Sequence, residues 1–229
     1  MTQVARSLPA IAELLTDVPI FAALSLDERM ELASRLRTRH FARDEVIFHR
    51  DDPAGHFFVI VAGTVKLTLV DDSGREAVIA ILRGGDVFGE LELFDDLPRA
   101  VTVTAISETQ LLALGRADFF EVLERHPRSM RAMLALLART VSHTAGRIED
   151  LVFLDAPSRV AKCLVDLKDT QGIGNDIQLT QDDIAAFAGA TRAFVNRVLS
   201  DLEAQGVIAV GRRHIAIKDE ARLRQQIRY

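Results

Sequence analysis

One stretch of the chain carries residue types suited to gripping an anion. Gly89-Glu90-Leu91 is followed, within a dozen residues, by Pro98-Arg99-Ala100. A tight glycine leading into Glu90 and Leu91 reads as a single helical turn. Its N-terminus offers free N–H groups and a partial positive charge to a negatively charged group. Arg99 adds a planar guanidinium whose fork matches a phosphate, and Pro98-Arg99-Ala100 re-enters a strand. An ionised Glu90 can only accept hydrogen bonds, so it suits a sugar hydroxyl and not a phosphate. The same residue types also fit a solvated turn with a surface arginine, and chemistry alone leaves both readings open.

A second set of residues lies near the C-terminus. Thr191 is placed to cap the helical segment RAFVNRVLSDLEAQ, which stops at Gly206. In that segment Val195, Val198, Leu199 and Leu202 repeat at core spacing, whereas Arg192, Asn196 and Arg197 fall together on the opposite face near the N-terminus. Arginine can read guanine O6 and N7 with two donors, asparagine can read adenine, and either can hold a phosphate. Upstream, Thr180 caps QDDIAAFA with Asp183 three residues on, a form of capping box. Gly189-Ala190 makes the turn between the two helices. A hairpin, VIAV-GRRH-IAI, follows, with Arg212, Arg213 and His214 expected at its tip. Two short helices about a glycine turn, then a basic wing, are the signature of a winged helix-turn-helix.

Other chemistries find little support. The six histidines stand at 40, 49, 56, 126, 143 and 214, with no H-x-H or H-x-x-x-H pair to build a metal site. A single cysteine, Cys163, sits among apolar neighbours in VAKCLVDL and reads as a buried structural thiol. No window approaches 18 uninterrupted apolar residues and no basic-then-apolar leader is present, which predicts no membrane association and a cytoplasmic protein. The 229 residues carry a net charge of −5. From residue 156 onward there are 11 Lys and Arg against 9 Asp and Glu; the first 155 residues hold 17 against 24. The C-terminal part is thus modestly basic, and an acidic protein can still bind nucleic acid where its basic residues are gathered locally.

The elements that must carry these residues divide into three. The chain opens helically, and Ser25 with Glu28 forms a capping box ahead of LDERMELASRL. From about Thr38 short β-rich runs (VIF, FFVIV, VKLTLV, AVIAIL, AVTVTAI, QLLAL) alternate with the turn clusters DDPAG, AG, DDSG, RGGD and DDLPR. That spacing predicts a sandwich or barrel-like roll, with Gly55, Gly63, Gly74, Gly84 and Gly85 at positive φ. ADFFEVLERHP is a short helix leading into a rod of 27 residues, Arg128 to Leu154, about 40 Å long. Its Met130, Leu134, Leu137, Val141, Ile148 and Leu151 form a heptad seam that fits a partner helix. Thr144 places a hydroxyl in that seam, either to set register or to meet something polar at a dimer axis. After Asp155-Ala156-Pro157, Ser158 to Thr170 is an amphipathic helix, QGIGN a loop and DIQLT a short strand.

DVFGELELFDDLPRAVTVTA resembles the phosphate-binding cassette of cyclic-nucleotide-binding domains. From about Ile20 to Leu223 the chain resembles the catabolite activator protein (cyclic-AMP receptor protein)/FNR family of bacterial transcription regulators. The resemblance implies an α+β chain with an N-terminal β-roll of the double-stranded β-helix type over 1–127, a long dimerisation helix and hinge over 128–155, and a winged helix-turn-helix over 156–229. It implies that Gly89 and Glu90 meet the ribose, with Leu91 beside them in the nucleotide site, that Arg99 and the Ala100 backbone N–H hold the cyclic phosphate, and that Thr144 meets the adenine of cyclic AMP, the effector. The next position, often Ser or Asn in the family, is Ala145 here. On DNA, Thr180, Thr191, Arg192, Ala193, Asn196, Arg197, Arg212 and Arg213 would form the contact surface. The family pattern Ser/Thr-Arg-Glu-x-Val-x-Arg is matched at Thr191, Arg192, Val195 and Arg197 and broken at Ala193. The implied protein is a homodimer on a two-fold symmetric DNA site, no enzyme, with RNA polymerase as a further partner. Ligand binding would shift the population toward a state whose reading helices sit one turn, about 34 Å, apart. A cupin-like enzyme and a ligand-independent regulator of the same fold are the competing readings.

Overall fold

The computed structural model describes residues 7–171 and 176–228. Of the loop read at QGIGN, residues 172–175 lie outside them. Two compact units share the described residues: one comprises the chain up to Val65 together with Leu82–Val141, the other Lys66–Ile81 together with Ser142 onward.

In the first unit α1 (Leu8–Leu14) and α2 (Leu26–Arg35) precede the strands. The box at the start of α2 is reciprocal: Glu28 N donates to Ser25 Oγ (3.3 Å) and Ser25 N to Glu28 Oε2 (2.7 Å). The strands are β1 (Arg37–Phe41), β2 (Val46–Phe48), β3 (His56–Ala62), β4 (Thr64–Val70), β5 (Glu76–Arg83), β6 (Val87–Phe88), β7 (Thr102–Ala105) and β8 (Thr109–Gly115), of which most of β4 and β5 is counted with the second unit. One sheet has the order β1-β8-β3-β6 and the other β2-β7-β4-β5, which is the roll expected from alternating short runs. Gly63 (φ 91°), Gly74 (φ 79°) and Gly85 (φ 93°) have positive φ, but Gly55 and Gly84 do not. In the DDPAG turn the left-handed residue is Asp51 (φ 68°), and the RGGD turn needs only one such residue. At Gly63 the requirement is absolute, because a Cβ would lie 2.4 Å from the Glu108 carbonyl oxygen.

Between β6 and β7 lies α3 (Leu91–Asp95), and α4 (Arg116–Arg125) leads into α5 (Pro127–Phe153). The roll's core stacks Phe57 on Phe119 at 4.8 Å, with Phe21 edge-on to Phe57. Along α5 the seam departs from expectation at its start. Met133 is fully buried, and Met130 and Leu137 pack against the roll's own core. Leu134, Val141, Ile148 and Leu151 remain exposed, Val141 at 69%. The N-terminal half of α5 thus turns one face, Met130, Met133 and Leu137, to the core beneath it.

The second unit contains α6 (Ala156–Gln171), β9 (Asp176–Ile177), α7 (Gln181–Ala188), α8 (Arg192–Ala204), β10 (Ile208–Gly211), β11 (His214–Ile217) and α9 (Glu220–Arg224). Its sheet runs β10-β11-β9. Expected as five residues, the first of these strands is two, pairing Ile177 with Ile215 and Asp176 with Ala216 before the chain turns into the Thr180 cap. Val160, Leu164, Ile184, Val195, Leu199, Ile215 and Leu223 fill the core, and Cys163 is buried and free as expected. Burial pushes the Cys163 thiol well up from its ordinary pKa, which leaves it inert.

Candidate functional site

The β6–α3 turn and the loop before β7 bring Gly89, Glu90, Leu91, Arg99 and Ala100 into one cassette. Gly89 has φ 80°, and a Cβ there would stand 2.8 Å from Arg99 Nη1 and 3.1 Å from the His56 carbonyl oxygen. Conformation and space therefore both demand glycine. Glu90 is the N-cap residue of α3 and is 7% exposed. Burial raises its pKa and the Glu92 charge adds to this, against its own backbone hydrogen bond and Arg99, which lower it. Leu91 is exposed on the first turn.

Arg99 is not turned out to solvent. It is 3% exposed, with Nη1 donating to the Gly89 carbonyl (2.9 Å) and to Glu92 Oε2 (3.1 Å), and Nη2 to the His56 carbonyl (2.6 Å). Its guanidinium lies 4.3 Å from the centroid of the Phe48 ring, a cation–π contact. The backbone beside it is pinned to the β2–β3 loop: Arg99 N donates to the Asp52 carbonyl and Asp51 N to the Arg99 carbonyl. The Ala100 N–H donates to Glu92 Oε1 at 3.0 Å. Guanidinium and backbone N–H, the two donors expected to hold a phosphate, thus converge on a single carboxylate. His56, whose carbonyl takes part, has its own pKa lowered by burial first and then by Arg39, Arg99 and Arg37.

In the second unit the helix-turn-helix is built from local caps. Asp183 N donates to Thr180 Oγ1 (3.0 Å) and Thr180 N to Asp183 Oδ2 (3.2 Å). Gly189, left-handed at φ 62°, ends α7, and Phe194 N donates to the Thr191 Oγ1 cap of α8. Arg159 holds the turn from behind, its Nε donating to the Ala188 carbonyl and its Nη1 to the Leu154 carbonyl, both at 3.0 Å. Arg192, Ala193 and Arg197 are exposed on the first turns of α8. Arg192 Nη1 reaches Asp182 Oδ2 at 3.1 Å, a solvent-exposed pair of little strength. Asn196, one turn on from Arg192, is half-buried, and its Oδ1 is buried without a hydrogen-bond partner. Arg212 and Arg213 form the exposed two-residue tip of the wing, Arg213 at φ 57°. His214 is not at the tip: it lies in β11, paired with Gly211. Thr144 and Ala145 are exposed on the part of α5 that belongs to this unit.

Comparison with known proteins matches residues 38–126 to the cyclic nucleotide-binding domain and residues 158–226 to the Crp-like helix-turn-helix domain. A CRP-like cAMP-activated global transcriptional regulator of Mycobacterium tuberculosis is 31% identical over 222 residues, 94% of this chain and 99% of the relative. The cyclic AMP receptor protein of Thermus thermophilus is 31% identical over 207 residues, 90% of this chain and 95% of that one. Among solved structures, FixK2 from Bradyrhizobium japonicum superposes with a TM-score of 0.77 at 25% identity, covering 85% of this chain and 98% of its own.

The chain belongs to the CRP/FNR family. It is a CRP-like transcription regulator with a cyclic nucleotide-binding domain and a helix-turn-helix domain, in a family of DNA-binding proteins and not of enzymes. That sets aside the cupin-like enzyme. No helix among the described residues is long and apolar enough to cross a membrane.

Three polar residues of this CRP/FNR protein escaped the sequence reading. Glu92 is the first: a carboxylate seven residues before Arg99, inside a stretch expected to grip an anion, was its only signal. Lys66 is the second, its Nζ 2.8 Å from Asp183 Oδ1, with side chains 16% and 11% exposed. The third is Arg147 on α5, stacked 3.8 Å over the Phe187 ring and donating to the Phe187 (2.7 Å) and Val78 (3.3 Å) carbonyls. Burial lowers the Arg147 pKa from its ordinary value, against the charges of Cys163, Asp166 and Asp150.

Proposed function

We propose that this chain is a homodimeric transcription regulator whose binding to a two-fold symmetric DNA site is controlled by cyclic AMP. Residues 1–127 serve as the nucleotide-binding module, 128–155 as dimerisation helix and hinge, and 156–229 as the DNA-binding domain. The observation that carries the ligand half is the convergence of the Arg99 guanidinium and the Ala100 N–H on one anionic group, at 3.1 and 3.0 Å. A cyclic phosphate oxygen pair needs donors in that arrangement. Gly89, Glu90 and Leu91 lie alongside for the ribose, and Thr144, next to Ala145, supplies the hydroxyl for the adenine. Two relatives at 31% identity are named for cyclic AMP, which favours that nucleotide over others.

The exposed stripe Leu134, Val141, Ile148 and Leu151 supports the dimer, since an apolar helix face of that length calls for a partner helix. For the DNA half, Arg192, Ala193 and Arg197 enter the major groove, Asn196 stands at the edge of that face, and Thr180, Thr191, Arg212 and Arg213 meet the backbone. Nucleotide binding shifts the dimer toward its DNA-competent state, and the bound dimer recruits RNA polymerase. A mobility shift on sites selected from a random DNA library, with cyclic AMP, cyclic GMP or no nucleotide at one salt concentration, tests the reading. The expected result is a symmetric site bound at least tenfold more tightly with cyclic AMP. Equal binding in all three lanes would support the ligand-independent regulator instead.

A further inference from the structure

We infer that Glu92 is a built-in competitor for the cyclic phosphate, so that nucleotide binding requires displacement of the protein's own carboxylate. The inference rests on the cassette being the nucleotide site, and it assigns that site a regulatory residue. Glu92 is 6% exposed, on the first turn of α3. Its two oxygens are divided between the two donors: Oε2 takes Arg99 Nη1 and Oε1 takes the Ala100 N–H. A carboxylate and a phosphate present similar pairs of oxygens to such donors, and both cannot use them at once. The other hydrogen-bonding and aromatic partners of Arg99, the Gly89 and His56 carbonyls and the Phe48 and Phe58 faces, are neutral, so Glu92 is the one carboxylate bonded to the buried guanidinium, with Glu90 acting on it through charge.

Leaving Glu92 in place would put two anions beside one cation in a site shielded from water, where like charges repel strongly. Glu90, buried in the same cassette, would add a third carboxyl. The ligand therefore evicts Glu92. Because Glu92 sits on a helix of five residues closed by a left-handed Asp96 (φ 59°), eviction moves α3 and exposes the displacement to whatever packs on it. The consequence is a threshold: the site fills only when nucleotide is abundant enough to outcompete an intramolecular anion, which acts at high effective concentration.

The opposite role is equally concrete. If Glu92 instead holds Arg99 in the posture that receives phosphate, removing it must weaken nucleotide binding. The sign of one measurement separates the two. Calorimetric titration of the intact chain with cyclic AMP and with cyclic GMP would compare wild type, Glu92→Gln and Glu92→Ala. Glu92→Gln keeps the shape and removes only the charge, so it serves should the alanine variant fold poorly by circular dichroism. We expect both variants to bind at least tenfold more tightly than wild type, with alanine at least as tight as glutamine. The nucleotide concentration for half-maximal DNA retardation should fall by the same factor. Wild type that binds as tightly as Glu92→Gln, or more tightly, overturns the competitor role while leaving the nucleotide site intact. No binding of either nucleotide by any of the three proteins overturns the site and the inference together.

Discussion

Arg99 and Arg192, the arginines proposed to carry nucleotide binding and DNA reading, are placed in opposite ways. Arg99 is 3% exposed and engages two carbonyls, a carboxylate and an aromatic face. The side chain of Arg192 is 63% exposed and meets one exposed carboxylate. The first is preorganised at the expense of desolvation, so changes around it act on folding and ligand together. The second stands in water, where its worth appears only when DNA removes that water. The proposed ligand site is thus stiff and coupled, and the proposed DNA face soft and separable.

The largest effect is expected where that stiffness is greatest. Gly89→Ala places a side chain at φ 80° and within 2.8 Å of Arg99 Nη1, which should destabilise the fold by about 2–3 kcal/mol. Chemical denaturation would measure it, and cyclic-nucleotide binding should be lost with it. A wild-type denaturation midpoint would show that the cassette is as pliable as the DNA face.

Asp183 is a position where stiffness reaches the helix-turn-helix. Burial alone would raise its pKa, but the Lys66 and Thr180 hydrogen bonds lower it from its ordinary value; the Lys66 pKa, lowered by burial, is raised by Asp183 and Glu76. An acid whose folded pKa is depressed stabilises the fold above its unfolded pKa and loses that contribution as pH falls. A base whose folded pKa is raised stabilises below its unfolded pKa and loses it as pH rises. Asp183→Asn should therefore cost about 1–3 kcal/mol at neutral pH by stranding a half-buried ammonium. The gap from wild type should close below about pH 4 and above about pH 10. Thermal melts across that range would show it, and a gap independent of pH would mean that the ion pair contributes nothing.

Arg192→Ala marks the other end of the scale. Stability should change by no more than about 0.5 kcal/mol, while affinity for a selected site falls by about 1–3 kcal/mol. Affinity for random DNA should fall much less. Equal losses on both would make Arg192 a phosphate contact without a role in sequence reading.

What was legible in the sequence follows the same division. Caps are local, so Ser25 with Glu28, Thr180 with Asp183, and Thr191 could each be read from a few residues, and the structure closes all three. The β-rich runs located β2 to β5, β7 and β8, whereas the two-residue β6 and the five-residue α9 are too short to show a period. Lys66 was invisible because its partner lies 117 residues away. Asn196 lies one turn on from Arg192, where a helical wheel puts it, but the wheel does not show that its Oδ1 is buried beside a face whose Val195 and Leu199 are core. Arg99 was read as the charge in this stretch, and the structure buries it there. That Glu92 holds it depends on how a single turn of helix is aimed, which no spacing rule encodes.

The central claim is that the buried donor pair of Arg99 and Ala100 is where a cyclic nucleotide takes hold. Calorimetric titration of cyclic AMP into Arg99→Ala, beside wild type, tests it most directly. Removing the one guanidinium aimed at the anion should lower affinity at least tenfold, since a charge-assisted hydrogen bond is worth about 1.5–3 kcal/mol, with helix and strand content retained by circular dichroism although the melting temperature falls as the buried Glu92 loses its partner. Equal affinity in the two proteins would contradict the account.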